Sequence, residues 1–228
     1  GPEILGLCEV ENQKVLEELI AQKELKGKYK IVHYDSPDNR GIDVALLYKN
    51  TQYKLLSSYS FRVKKYKDIT FETRDILYCR FLRDKDTLMF LVNHWNSRRG
   101  GEEKTEDKRI ALAFFVKHLS DSLQKKHSHD LLMIMGDFND EPENKSITEV
   151  LKAKHTSEGI QLKELYDPFY ELSMEGEGSH QYNHQWLMYD QIIVNQSALK
   201  NKNWHYQQGS AQVYHPDWLH YQNDPRKG

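Results

Sequence analysis

Five apolar residues, Leu131 to Met135, run directly into Gly136-Asp137-Phe138-Asn139-Asp140. No other stretch limits the fold as sharply. An apolar run of this length, stopped by a glycine, reads as a buried strand. Residues i and i+2 of an extended chain point the same way. Asp137 and Asn139 are therefore expected to address one ligand while Phe138 turns back into the core. Oxygen groups of this kind hold hard divalent cations and attacking waters. Gly, Asp and Asn also form ordinary polar turns, and this segment alone leaves both readings open.

With 228 residues the chain is long enough for one large core, and one domain over 1–228 is expected. Residues 3–10 read as a buried strand, and Val15, Leu16, Leu19 and Ile20 then share one face at helical spacing. Further strands are expected at 29–34, 42–48 and 53–59. The runs 74–83 and 87–94 read as a hairpin joined by the charged turn Asp84-Lys85-Asp86. A helix is expected over 104–125, with Leu112, Phe115, Val116, Leu119 and Leu123 facing inward. A short helix near 145–154 and a strand over 189–195 follow. The charged pieces 62–68 and 98–109 read as loops or loop-to-helix junctions, and 173–185 as a polar connection. Strands outnumber helices, and hairpins coexist with helical crossovers, which indicates mixed sheets sandwiched by helices.

The net charge of −2 provides no global basic field to recruit nucleic acid, although a local basic site remains compatible with it. No apolar run approaches the roughly 18 residues that a membrane helix needs. Cys8 and Cys79 lie in apolar strand-like runs and are expected to be buried free thiols. The chain opens at Gly1 just ahead of its first strand, which leaves export and compartment undetermined, and no protein partner is evident.

Four more segments place polar groups where strand-like runs end. Glu9 follows Leu5, Leu7 and Cys8; a metal ion, a basic side chain or the next helix are the partners open to it. His94 is followed by Asn96, Ser97, Arg98, Arg99 and two glycines. A histidine near neutral pKa transfers protons, and arginine forks grip phosphate oxygens; a hydrogen-bonded histidine before a solvated basic turn fits equally well. Asp43 enters an apolar strand, either to orient a histidine or as a structural carboxylate. Asp190 enters another, just downstream of Tyr182 and Trp186, and calls for a catalytic imidazole or a buried Arg or Lys.

In this order the segments GLCEVEN, VNHW, GDFN and YDQIIVN resemble the endonuclease/exonuclease/phosphatase superfamily. The wording of VNHWNSRRGG and WLMYDQIIVN is most similar to its bacterial members. The resemblance spans nearly the whole chain and implies a four-layer α/β sandwich, two mixed β-sheets face to face with helices outside. It makes Glu9 the carboxylate that binds Mg²⁺ or Mn²⁺, and His94 a general acid or a hydrogen-bond donor to phosphate. Asp137 then orients or deprotonates the attacking water, Asn139 binds phosphate or metal, and Asp190 orients a second histidine. We add Asn96, Arg98 and Arg99 for phosphate grip, Tyr182 and Trp186 as cleft walls, and Asp43 as an orienting acid. His180, His184 and the turn 127–130 receive no role.

The implied reaction is metal-dependent phosphoester hydrolysis, with a phosphodiester the leading substrate. Nucleic acid, a lipid head group and a soluble phosphomonoester stay open, as does a non-catalytic binding module of the same fold. Members of the superfamily also begin with a strand bearing an asparagine and end with one bearing Ser-Asp-His. Neither is found here; the late histidines are His205, His215 and His220. The expectation is a domain incomplete at both ends, with exposed sheet edges and little activity of its own.

Overall fold

The structure, a computed structural model, describes residues 1–216. His220 and the QNDPRKG ending lie outside the described residues. In chain order come β1 (Ile4–Val10), α1 (Gln13–Ile20), β2 (Lys30–His33), β3 (Asp43–Tyr48) and β4 (Lys54–Phe61), then a small hairpin of β5 (Lys65–Tyr66) and β6 (Ile69–Thr70). There follow β7 (Ile76–Arg83), β8 (Asp86–His94), the long α2 (Glu102–Lys126) and β9 (Leu131–Asp137). A π-helical turn (Ser146–Leu151), β10 (Ala153–Lys154), β11 (Leu165–Tyr166) and α3 (Phe169–Met174) come next. A second hairpin, β12 (His180–Tyr182) and β13 (Gln185–Leu187), then precedes β14 (Asp190–Asn195) and α4 (Gln196–Lys200).

The larger sheet has seven strands in the order β10-β11-β14-β9-β8-β7-β4 and is mixed, as expected. Its parallel pairs are β8–β9 and β10–β11. Parallel neighbours need a crossover, and α2 supplies it between β8 and β9. The smaller sheet, β1-β3-β2, is antiparallel throughout the described residues, because β3 inserts between β1 and β2.

Strand alternation sorts the core into layers. Leu88, Phe90 and Val92 of β8 meet Val44 and Leu46 of β3 between the sheets. Met89 and Leu91 point the other way, against Leu112 and Val116 of α2. On the outer face of the small sheet, Leu16 of α1 covers Val10 and Ala45. The result is helix, sheet, sheet, helix. Burying each such side chain is worth about 1.5–3 kcal/mol, so the alternation itself selects the register. Asn12 caps α1 by accepting the Val15 amide at 3.1 Å. Both cysteines are free thiols, as expected; Cys79 is buried, while Cys8 is only half-buried.

The sequence pattern missed the two small hairpins, at 65–70 and 180–187, which begin in the charged stretch 62–68 and the polar stretch 173–185 and end just past them. Each strand of these hairpins has only two or three residues, too few to show a period.

One position fixes the central register. Gly136 has φ +128°, and a Cβ there would lie 2.0 Å from the Asn93 carbonyl oxygen of β8. Neither backbone has room to move without breaking the β8–β9 ladder. Gly136→Ala is therefore expected to cost at least about 3 kcal/mol, read as a lowered urea midpoint. A loss below 1 kcal/mol (roughly, on the same scale) contradicts the close approach.

Candidate active site

Three neighbouring strands end at the same level. His94 lies opposite Asp137 in the β8–β9 ladder, and Asp137 lies opposite Asp190 in the β9–β14 ladder. Val92 and Met135, two residues before His94 and Asp137, pack toward the small sheet. The row therefore opens on that same side. From the small sheet comes Glu9, at a bulge where the register shifts between Leu7 and Val10, with φ 58°. A bulge re-aims a side chain that regular pleating would send elsewhere. The Glu9 carboxylate is exposed yet close enough to act electrostatically on Asp137.

Burial, with Asp190 and Glu9 nearby, pushes the Asp137 carboxyl up to about 7. His94 is buried, and that burial together with the Arg74 charge pushes its imidazole down to about 3. A neutral imidazole favours the hydrogen-bond-donor reading of His94 over that of a general acid. Its Nε2 stands 3.5 Å from Asp137 Oδ2, longer than a good hydrogen bond. Its Nδ1 is buried without a partner among the described residues.

Cross-bracing holds the row in place. Trp95 N donates to Asp137 O at 2.8 Å, and Asn139 Nδ2 donates to Trp95 O at 3.1 Å. Arg74, almost wholly buried, donates through Nε to His94 O at 3.1 Å and through Nη2 to Trp95 O. Its Nη1 pairs with Asp38 Oδ2 at 3.0 Å. Phe138 packs edge-on against Trp95, with ring centroids 4.8 Å apart. Sequence reasoning missed Arg74 and Asp38; the available signal was an arginine at the head of the apolar run 76–79.

Several expectations need correction. β9 ends at Asp137, and Asn139 adopts a left-handed φ of 49°, so the two do not point in parallel. The Asn139 amide N donates to Asp137 Oδ1 at 2.8 Å, so Asn139 braces the site. Arg98 is committed to Asn139 O, Asp140, Asn144 and Glu102, and lies over the Tyr189 ring. It anchors the loop and is not free to grip phosphate. Arg99 is exposed, and no contact among the described residues brings it to the row. Asn96 is half-buried, and its Oδ1 has no partner there.

Asp43 does hold a histidine, but the histidine is His33, at 2.9 Å, and its other oxygen accepts the Ser36 amide at 2.7 Å. Tyr182 pairs with Gln185 and Trp186 with Gln181. Cross-strand partners share a face, so the two exposed aromatics lie on opposite faces of the hairpin and cannot wall one surface together. Ser179, at the base of that hairpin, accepts the Asp190 amide at 2.9 Å, which ties the hairpin to the row. Asp190 is exposed, and no imidazole holds it among the described residues.

Among the described residues, His33, Asp35 and Asp43 are the group whose metal-ligand atoms come within 4.8 Å of one another. Glu9, Asp137 and Asp190 do not converge so tightly. Mg²⁺ does not require it, because it keeps several waters and takes one or two carboxylates plus substrate oxygens. The all-oxygen donors and the raised Asp137 carboxyl fit a hard divalent ion.

A family model described as "Endonuclease/Exonuclease/phosphatase family" matches residues 1–228. The chain belongs to that family. The human Nocturnin catalytic domain, solved with a bound sulfate anion, is 21% identical with a TM-score of 0.58, over 85% of this chain and 69% of that one. D. rerio TDP2, complexed with single-strand DNA product, is 14% identical with a TM-score of 0.58, over 85% and 71%. The Bacteroides thetaiotaomicron mannosyl-6-phosphatase is 16% identical with a TM-score of 0.54, again over 85% and 71%. At these identities the likeness establishes the α/β sandwich fold. No curated protein sequence matches significantly. Hydrolytic phosphoester chemistry is the general activity that the family supports, and no helix among the described residues is long and apolar enough to cross a membrane.

The Asp137 environment has a consequence for stability. A carboxyl raised from 3.8 to about 7 favours the native state while protonated, and that contribution is lost as pH rises through about 7. In EDTA, Asp137→Asn should therefore gain stability over the wild type between about pH 4 and 7, reaching roughly 1–3 kcal/mol at pH 8. Urea unfolding at pH 4.5 and pH 8 checks this; a difference independent of pH would contradict the burial and the neighbouring carboxylates.

Proposed function

We propose that the protein is a divalent-metal-dependent phosphodiesterase that cleaves a phosphoester by attack of water on phosphorus. The observation that carries this reading is the His94–Asp137–Asp190 row, set in register on three adjacent strands with Glu9 facing it from the second sheet. An acid that titrates near 7 suits proton abstraction at neutral pH. Asp137 takes the proton of the attacking water on its carboxylate. The neutral His94 imidazole donates a hydrogen bond to a phosphoryl oxygen. Asn139 and Arg74 keep both groups at fixed separation. Glu9 would hold Mg²⁺ or Mn²⁺, which when bound neutralises charge on the phosphoryl group.

The diester reading takes support from the TDP2 structure with single-strand DNA product, and the phosphatase among the similar structures keeps a monoester as the competing substrate. The protein should hydrolyse bis-p-nitrophenyl phosphate with Mg²⁺ and lose that activity in EDTA, with p-nitrophenyl phosphate the poorer substrate. Asp137→Ala and His94→Ala should each lower turnover by about 10²–10⁴ with the circular dichroism spectrum unchanged. Losses below about tenfold for both would show the site to be misassigned. Preference for the monoester would move the protein to the phosphomonoesterases.

A further inference from the structure

Phosphate approaching this site meets the carboxylates of Glu9, Asp137, Asp190 and Asp38, and the arginine expected to grip it, Arg98, is engaged elsewhere. Arg74 is buried, and each of its three nitrogens already donates to the protein. Among the described residues, Arg40 is the half-exposed guanidinium beside the carboxylates. Resting on the phosphoesterase reading above, we propose that Arg40 is the phosphate-gripping side chain of this site, presented by a turn that Asp38 and Arg74 hold rigid.

The turn that carries Arg40 is braced by Asp38. Gly41 N donates to Asp38 O at 2.9 Å, closing a β-turn with Arg40 at its third position. Asp38 Oδ1 accepts the Arg40 amide at 3.0 Å and lies 3.4 Å from Arg40 Nε. The other Asp38 oxygen is held by Arg74 Nη1 at 3.0 Å. Arg74 in turn holds the carbonyls of His94 and Trp95, so the turn is tied to the row through a single buried cation. Although burial opposes it, the Arg74 and Arg40 charges keep the Asp38 carboxyl below the usual carboxylate range.

Arg40 itself is half in solvent, with its side chain 50% exposed, and its Nη1 is 3.8 Å from Glu9 Oε1. Its charge also reaches the His94 ring, where it helps to lower the imidazole pKa. A fork donor that is solvated, rigidly mounted and next to the candidate metal carboxylate has the geometry for charge-assisted bonds to phosphate oxygens.

The test uses inorganic phosphate as the probe, both as a competitive inhibitor of bis-p-nitrophenyl phosphate hydrolysis and in calorimetric titration with Mg²⁺ present. Arg40→Gln should weaken phosphate binding and raise KM about tenfold or more, with kcat changed less than about threefold. Arg40→Lys should recover part of the loss, because the charge stays while the fork is gone. Asp38→Asn, checked for folding, should reproduce the KM defect. Hydrolysis that persists in Arg40→Gln with phosphate affinity equal to wild type would overturn the assignment and leave the phosphoesterase reading standing. A wild-type protein that neither binds phosphate nor cleaves either ester would overturn both.

Discussion

Strands β8 and β9 approach so closely at one point that the Asn93 carbonyl fills the space a side chain on Gly136 would occupy. The parallel ladder locks there, and a slip of one residue would turn every side chain of β9 to the wrong face. Register at Gly136 sets Asp137 beside His94, and the antiparallel ladder with β14 then sets Asp190 beside Asp137. The site is therefore a product of sheet pairing in the middle of the core. Arg74, Trp95 and Asn139, just outside the strands, then brace the groups that the ladders have placed.

Burying charge next to this row is costly, and the fold compensates with two arginine struts. Arg74 bonds two carbonyls and Asp38, and Arg109, fully buried in α2, bonds Asp140 at 2.7 Å. Asp140 also receives Arg98 and Ser146, so the end of the GDFND loop is fastened to α2 and to the π-helical turn. Removing one partner of such a pair leaves an uncompensated buried charge. These struts fasten the loops around His94 and Asp137, whose burial raises the Asp137 carboxyl and lowers the His94 imidazole pKa.

Much of this was legible in the sequence because strand and helix periods carry the layers. The apolar runs of β1, β3, β7, β8, β9 and β14 and the inward face of α2 all appear where periodicity places them. The polar groups at strand ends were also legible as candidates, since Glu9, His94, Asp137 and Asp190 each interrupt an apolar run. What failed was the assignment of partners. Asp43 found His33 and Arg98 found the loop carboxylates, because side-chain pairing depends on which elements meet across the fold, and sequence spacing does not report that. Asn139 failed for a local reason: its left-handed backbone ends the alternation that sequence reasoning had extended past Asp137. The Arg74–Asp38–Arg40 chain was invisible for the first reason, joining residues 36 positions apart through one buried guanidinium.

Among the described residues, two places offer ligands to a divalent ion: the Glu9 carboxylate facing the strand-end row, and the His33–Asp35–Asp43 group on the outer side of the small sheet. Anomalous diffraction from crystals soaked in Mn²⁺ distinguishes them directly. A peak within coordination distance of the Glu9 carboxylate, facing Asp137 and Asp190, is the predicted result. A peak confined to the His33–Asp35–Asp43 group, with none at Glu9, would contradict the account of this site.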